Sequence, residues 1–279
     1  MNDAPDLPLL AYYGDDFTGS TDVMEALARA GVRTALFLDT PIPEQLTGRF
    51  ADLPAVGVAG TSRSMTPEQM ETALPPVFEG LGRLRPAIVH YKVCSTFDSS
   101  PEIGSIGRAI DIGQRVFDSA YVPLVVGAPI LRRSCLFGNL FATVGAETYR
   151  LDRHPTMRCH PVTPMDEADL RVHLGRQTDK TIGLMDIFHL SGDPIDIEKR
   201  FDHMLDSETE VVLFDVLDEP RLAEVGRLIW SHRGEGRPLF AVGSSGLEYA
   251  LVAHWRAAGR LSEAAPIQAP GPVDRLLVV

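Results

Sequence analysis

The run Leu9-Leu10-Ala11-Tyr12-Tyr13-Gly14-Asp15-Asp16-Phe17-Thr18-Gly19-Ser20-Thr21-Asp22 decides how the rest of the chain is read. Five apolar residues, Leu9 to Tyr13, form a strand-like stretch. A glycine, two adjacent aspartates and a group of hydroxyl residues follow. Thr21 to Ala30 then places Val23, Met24, Ala26, Leu27 and Ala30 on one helical face. Gly31 stands where a helix C-cap glycine belongs. A buried strand, a polar turn and an amphipathic helix make the opening of a parallel α/β sheet.

The pattern recurs outward from there. Strands are expected over 34–38, 55–59, 87–92, 123–127, 181–185, 210–215 and 238–243. Helices are expected over 67–81, 103–117, 166–174, 195–205, 219–233 and 246–258. Thr163-Pro164 is the expected start of the helix at 166. Strand–helix alternation predicts a three-layer, Rossmann-like α/β domain, with a mainly parallel sheet and helices on both faces. Residues 1–263 read as one such domain. Residues 264–272, Ala-Ala-Pro-Ile-Gln-Ala-Pro-Gly-Pro, read as a linker. Residues 273–279, ending Leu276-Leu277-Val278-Val279, read as the first strand of a further domain.

Composition narrows the function classes. The 279 residues are 44% hydrophobic and 23% charged, which is enough apolar material for a core. Lys+Arg is 26 and Asp+Glu is 38, a net charge of −12 that argues against nucleic-acid or anionic-membrane partners. No apolar run approaches the ~20 residues that span a bilayer, and the acidic first residues lack the basic region of a signal peptide. A cytoplasmic location is expected. Cys94, Cys135 and Cys159 form no CxxC pair, so they read as reduced thiols. His154 and His160 flank Cys159 at no zinc-site spacing, and no metal site is expected.

Three polar turns follow strands, and parallel sheets gather ligands at that edge. In the first, Asp15 and Asp16 can bind a hydroxyl, serve as general base or hold a metal, with Thr18 beside them. Helix capping accounts for only one of these residues. In the second, Arg63 of Gly60-Thr61-Ser62-Arg63-Ser64 offers a planar fork for a carboxylate or phosphate, or a surface ion pair. In the third, Lys92 closes an apolar run and precedes Ser95, Thr96, Asp98 and Ser99. A buried lysine needs an anionic partner. Acid, arginine and lysine at one sheet edge suit a small polyhydroxylated acid. Two weaker features are Arg132-Arg133-Ser134 and the turn Gly243-Ser244-Ser245, whose N–H groups could meet an anion. No GxxxxGK[ST], GxGxxG or GxSxG motif occurs.

Together, Asp15-Asp16-Phe17-Thr18-Gly19, Thr61-Ser62-Arg63 and Lys92-x-x-Ser95-Thr96-x-Asp98-Ser99 resemble the four-carbon acid sugar kinase family. Gly104-Ser105-Ile106-Gly107, His160 to Met165 and Gly243 to Leu247 extend the resemblance along nearly the whole chain. Leu131-Arg132-Arg133-Ser134-Cys135 departs from the family's Gly-Arg-Thr segment. The resemblance implies an ATP-dependent kinase that phosphorylates a hydroxyl of threonate, erythronate or 3-oxo-tetronate. It further implies that this chain is the sugar-binding part, with ATP and Mg²⁺ held mainly by a C-terminal nucleotide-binding domain. Asp15 and Asp16 would be the catalytic carboxylates, Arg63 and Lys92 would hold the substrate carboxylate, and Ser95, Asp98 and Ser99 would complete the pocket. A homodimer is an expected assembly. The competing readings are a stand-alone sugar-acid binding or regulatory protein, and a metal-dependent phosphatase built on Asp15-Asp16 with Asp98 and Asp215.

Overall fold

In the main sheet of the computed structural model, neighbouring residues of one strand serve two different cores. In β1 (Leu10–Gly14), Leu10 and Tyr12 pack on one side while Ala11 and Tyr13 pack on the other. In β10 (Val211–Phe214) and β11 (Leu239–Gly243) the same alternation divides Val211 and Leu213 from Val212 and Phe214, and Phe240 and Val242 from Leu239 and Ala241. Successive side chains of a strand point to opposite faces, so a strand covered on both faces is apolar at every position. The structure describes residues 8–234, 236–261 and 271–275.

The remaining strands of this sheet are β2 (Thr34–Phe37), β3 (Ala55–Ala59), β4 (Ile88–Lys92), β5 (Val122–Val125) and β9 (Ile182–Met185). The order across the sheet is β2-β3-β1-β4-β11-β5-β10-β9, and every pairing is parallel. One core lies under α2 (Pro67–Arg83), α3 (Ile106–Phe117) and α4 (Leu170–Leu174). The other lies under α1 (Phe17–Arg29), α5 (Pro194–Asp206), α6 (Glu219–Ser231) and α7 (Gly246–Ala257). This is the expected three-layer α/β arrangement.

Two local differences bear on the site. The first helix begins at Phe17 rather than Thr21, because Asp16 takes an extended conformation and its side chain accepts from the Gly19 N–H. The fourth helix begins at Leu170, capped by Asp169, rather than at 166. A three-stranded antiparallel sheet of β6 (Arg133–Leu136), β7 (Asn139–Val144) and β8 (Glu147–Arg150) has no counterpart in the sequence reading. Its half-buried strands are short and interrupted by Gly138 and Gly145, so their alternation is weak. The 264–272 linker and the 273–279 strand fall largely at 262–270 and 276–279, outside the described residues; residues 273–275 are described and are not in a strand. No described helix is long and apolar enough to cross a membrane.

The topology sets up a crevice. β1 lies between β3 and β4, yet β1 leads into α1 on one face while β3 and β4 lead into α2 and α3 on the other. Loops that part in this way leave space at the carboxyl ends of the strands.

Candidate active site

β1, β3 and β4 end in register: Gly14 lies beside Ala59 on one side and Lys92 on the other. Backbone bonds carry the stitching past the strands. Asp15 N–H donates to the Lys92 carbonyl (2.9 Å) and Arg63 N–H to the Asp15 carbonyl (3.0 Å). The β3 turn is held from below by two stacked tyrosines, Tyr13 and Tyr91, 5.9 Å apart. Tyr13 Oη accepts from the Thr61 N–H, and Tyr91 Oη shares a 2.8 Å bond with Ser62 Oγ.

On this frame the side chains of Asp15, Asp16 and Arg63 form one cluster. Arg63 Nε and Nη2 donate to the two Asp15 oxygens at 3.0 and 2.6 Å, and Nη1 donates to Asp16 at 2.7 Å. Asp16 also accepts from the Gly19 N–H at 2.6 Å, so it is at once helix cap and ion-pair partner. Lys92, only 2% exposed, pairs with Asp22 of α1 at 3.2 Å. A Cβ on Gly19 would lie 2.6 Å from Asp16 Oδ1 and 3.1 Å from Lys92 Nζ. Glycine is what lets the helix approach both groups.

Burial pushes the Asp15 carboxyl above the usual carboxylate range, and the bonds and charge of Arg63 oppose that rise. For Arg63 itself, burial works downward, but the Asp15 contacts outweigh it and hold the guanidinium protonated above its ordinary value. The guanidinium fork expected to clamp a substrate carboxylate gives three of its five N–H groups to two aspartates, and the lysine pairs with a third. The partner of Asp22 lies 70 residues on, beyond the reach of local sequence patterns.

Asp15, Asp16 and Arg63 open onto a cavity of about 470 Å³, shared with Phe17, Gly60, Thr61, Ser64 and Ile103. Its remaining wall comes from His160, Val162 and Thr163. His160 carries no local signal of a cavity role in the sequence. Its Nδ1 is in fact taken by Thr163, and that of His154 by the N–H groups of Thr156 and Met157.

The other expected residues are dispersed. Thr18 is exposed in the first turn of α1. Ser95 is half-buried, and Thr96 Oγ1 bonds the Cys94 thiol at 2.9 Å. Phe97 takes a left-handed φ of +57° between them and Asp98, whose buried Oδ1 has no hydrogen-bond partner among the described residues. Ser99 is turned into the protein, bonded to His173 and Gln177. None of Thr18, Lys92, Ser95, Thr96, Asp98 and Ser99 lines the cavity.

The Gly243-Ser244-Ser245 turn is tied to its neighbours through Gly243 and Ser244. Val93 N–H donates to the Gly243 carbonyl, Ser244 N–H to Val125, and Ser244 Oγ to Val126 while accepting from Gly246 N–H. These bonds occupy the Ser244 and Gly246 N–H groups, while the buried Ser245 hydroxyl has no hydrogen-bond partner among the described residues. Arg132 and Arg133 bond the carbonyls of Gly145 and Leu131 and do not reach the cavity. Asp215 accepts from the N–H groups of Phe137, Gly138 and Ile187, which makes it a loop tie. Among the described residues, one group has metal-ligand spacing, Glu198, Asp202 and His232; it contains no cavity residue, and Arg227 shares Glu198.

The sugar-binding N-terminal domain family matches residues 10–251. A 3-oxo-isoapionate kinase of Paraburkholderia graminis is 55% identical over 97% of this chain and 57% of its own length. A 3-oxo-tetronate kinase of Methylobacterium radiotolerans is 32% identical over 90% of this chain and 56% of its own length. The chain thus spans little more than half of these curated relatives. Among solved structures, a Haemophilus influenzae protein shares the fold with a TM-score of 0.77 at 21% identity, over 89% of this chain and 56% of that one. A Bordetella bronchiseptica domain of unknown function, solved as a domain-swapped dimer with bound citrate, does so at 0.69 and 22%, over 90% of this chain and 58% of that one. The chain belongs to the sugar-binding N-terminal domain family.

Proposed function

We propose that this chain binds the sugar-acid substrate of an ATP-dependent kinase and presents one of its hydroxyls for phosphorylation. The observation that carries the reading is the meeting of Asp15, Asp16 and Arg63 on one cavity at the β1–β3 crevice. The names of the relatives, both kinases of 3-oxo sugar acids, support the substrate class.

In this reading Arg63 does not clamp the substrate. It fixes two carboxylates, whose remaining lone pairs accept hydrogen bonds from substrate hydroxyls. Phosphoryl transfer depends mostly on positioning and charge neutralisation, so holding the attacking hydroxyl still is the main task of this part. Asp15 or Asp16 takes the hydroxyl proton, worth ~10²–10⁴ in rate; burial raises the Asp15 pKa, which makes that carboxylate a better proton acceptor. Lys92 neutralises Asp22 and draws the α1 turn onto the site. ATP supplies the γ-phosphoryl group and Mg²⁺ its charge neutralisation. Among the described residues, no group of three or more ligating side chains at metal-ligand spacing lies on the cavity, and the sequence has no glycine-rich phosphate-cradling motif. We assign both mainly to the part of the relatives' length that this chain does not span, and we expect this chain alone to bind without phosphorylating.

Calorimetry of this chain with D-threonate, D-erythronate and 3-oxo-tetronate tests the proposal. Binding weakened about tenfold or more by Asp16→Ala supports it, the loss expected for one hydrogen bond to a charged group. Binding that ignores the substitution removes Asp16 from the site, and no binding of any of the three acids removes the reading. The phosphatase alternative is disfavoured by Asp215, which is spent on three backbone N–H groups.

A further inference from the structure

One wall of the cavity still lacks a task. His160, Val162 and Thr163 line it, in an irregular segment anchored on either side by the buried Met157 and Met165. Met165 N–H and His160 N–H both donate to the Met157 carbonyl, at 3.0 and 3.1 Å, so the segment is a closed loop.

The partners of the His160 ring fix its tautomer. Nδ1 lies 3.0 Å from the Thr163 backbone nitrogen and 3.0 Å from the Thr163 hydroxyl. A backbone N–H can only donate, so Nδ1 must accept and carry the lone pair. The proton of the neutral ring is then on Nε2, which has no hydrogen-bond partner among the described residues. Thr163 is 3% exposed, so water does not compete for the Nδ1 contact.

We propose that His160 is a specificity residue: a neutral imidazole whose Nε2–H binds an oxygen that can only accept, the oxo or carboxylate oxygen of the sugar acid. This rests on the sugar-acid reading of the cavity and deepens it. The aspartates can only accept, so they select hydroxyls; Nε2–H can only donate, so it selects the opposite kind of oxygen. A substrate hydroxyl could accept from Nε2–H, but its own proton would then need an acceptor elsewhere in the cavity, whereas an oxo or carboxylate oxygen needs none. A cavity with both kinds of group fits a molecule that carries hydroxyls together with an oxo or carboxylate group, as an oxo sugar acid does.

Two measurements test this. Nitrogen NMR of the histidine rings in the wild-type chain, with His160 assigned by the signal lost in His160→Gln, is expected to give a bare Nδ1 and a protonated Nε2 at neutral pH. A protonated Nδ1 overturns the proposal whatever the cavity binds. In calorimetry, His160→Leu is expected to weaken 3-oxo-tetronate about ten- to a hundredfold. His160→Gln, whose amide N–H reaches the place of Nε2–H, is expected to recover most of that loss. An equal loss for threonate places the carboxylate at His160; a loss confined to 3-oxo-tetronate places the oxo group there. Wild-type binding that neither variant alters overturns the role of His160 and leaves the sugar-acid reading intact, whereas a wild-type chain that binds neither acid overturns both.

Discussion

Arg63 shows how one side chain sets the state of its neighbours. Its guanidinium satisfies both oxygens of Asp15, whose side chain is 3% exposed, and one of Asp16. Removing one partner of a buried pair leaves an uncompensated charge, at a cost of about 3 kcal/mol. Arg63→Met is expected to lose that much and to make stability more dependent on pH. Burial already raises the Asp15 pKa, and without Arg63 it rises further. The folded state then binds a proton more tightly than the unfolded one, so stability falls as pH rises from about 4 towards 7 and the difference is fully lost above the folded pKa. Urea midpoints across that range measure it, and a variant that tracks the wild type at constant offset contradicts the account. Gly19 gives a contest of signs. Alanine is about 1 kcal/mol better than glycine inside a helix. Here the added Cβ would sit 2.6 Å from Asp16 Oδ1, forcing off the cap bond and loosening the link to Arg63. Clash and lost cap outweigh propensity, so Gly19→Ala is expected to lower the melting temperature, and a rise would mean Asp16 can move freely.

At the scale of elements, β4 and α7 are joined by a buried dyad that no local pattern announces. His90 Nδ1 and Glu248 Oε1 lie 2.5 Å apart, both side chains fully buried, and His90 Nε2 faces the Gly243 carbonyl at 3.1 Å. A carbonyl only accepts, so Nε2 carries a proton, and one further proton lies between Nδ1 and Oε1. Glu248→Gln preserves a donor to a neutral Nδ1 and is expected to cost about 1 kcal/mol or less, whereas Glu248→Leu strands Nδ1 in the core at about 1–3 kcal/mol. Equal denaturation midpoints for the two variants would deny the dyad any weight. Ser245-Gly246-Leu247-Glu248 has the spacing of a capping box, yet neither half forms: Ser245 has a helical backbone and makes no cap bond, and the Glu248 side chain is drawn to a histidine 158 residues away. That contrast explains what the sequence made legible. Strand ends, and hence the approach of Asp15, Arg63 and Lys92 to one sheet edge, follow from apolar runs and parallel topology, which are local signals. Whether Arg63 faces substrate or aspartate, whether Ser99 turns inward to His173, and which loop brings His160 to the cavity depend on partners distant in the chain, where periodicity is silent.

For the whole molecule the governing quantity is charge. The chain carries −12 overall, and the site does not reverse it: Asp15, Asp16 and Asp22 face only Arg63 and Lys92, which leaves the cluster at −1. An anionic sugar acid therefore approaches against a repulsive field at long range and gains its affinity only inside the cavity, from short-range hydrogen bonds. Added salt screens the repulsion, since the Debye length falls from about 30 Å at 0.01 M to about 8 Å at 0.15 M. The association rate of threonate is expected to rise with ionic strength, by about twofold over that range, the reverse of electrostatic steering. The dissociation rate, set by contacts shorter than either screening length, is expected to change little. Stopped-flow binding at several salt concentrations separates the two rates. An association rate that falls as salt is added would mean that the ligand meets a positive entrance, and Arg63 and Lys92 would then have to be open to it rather than held by the three aspartates.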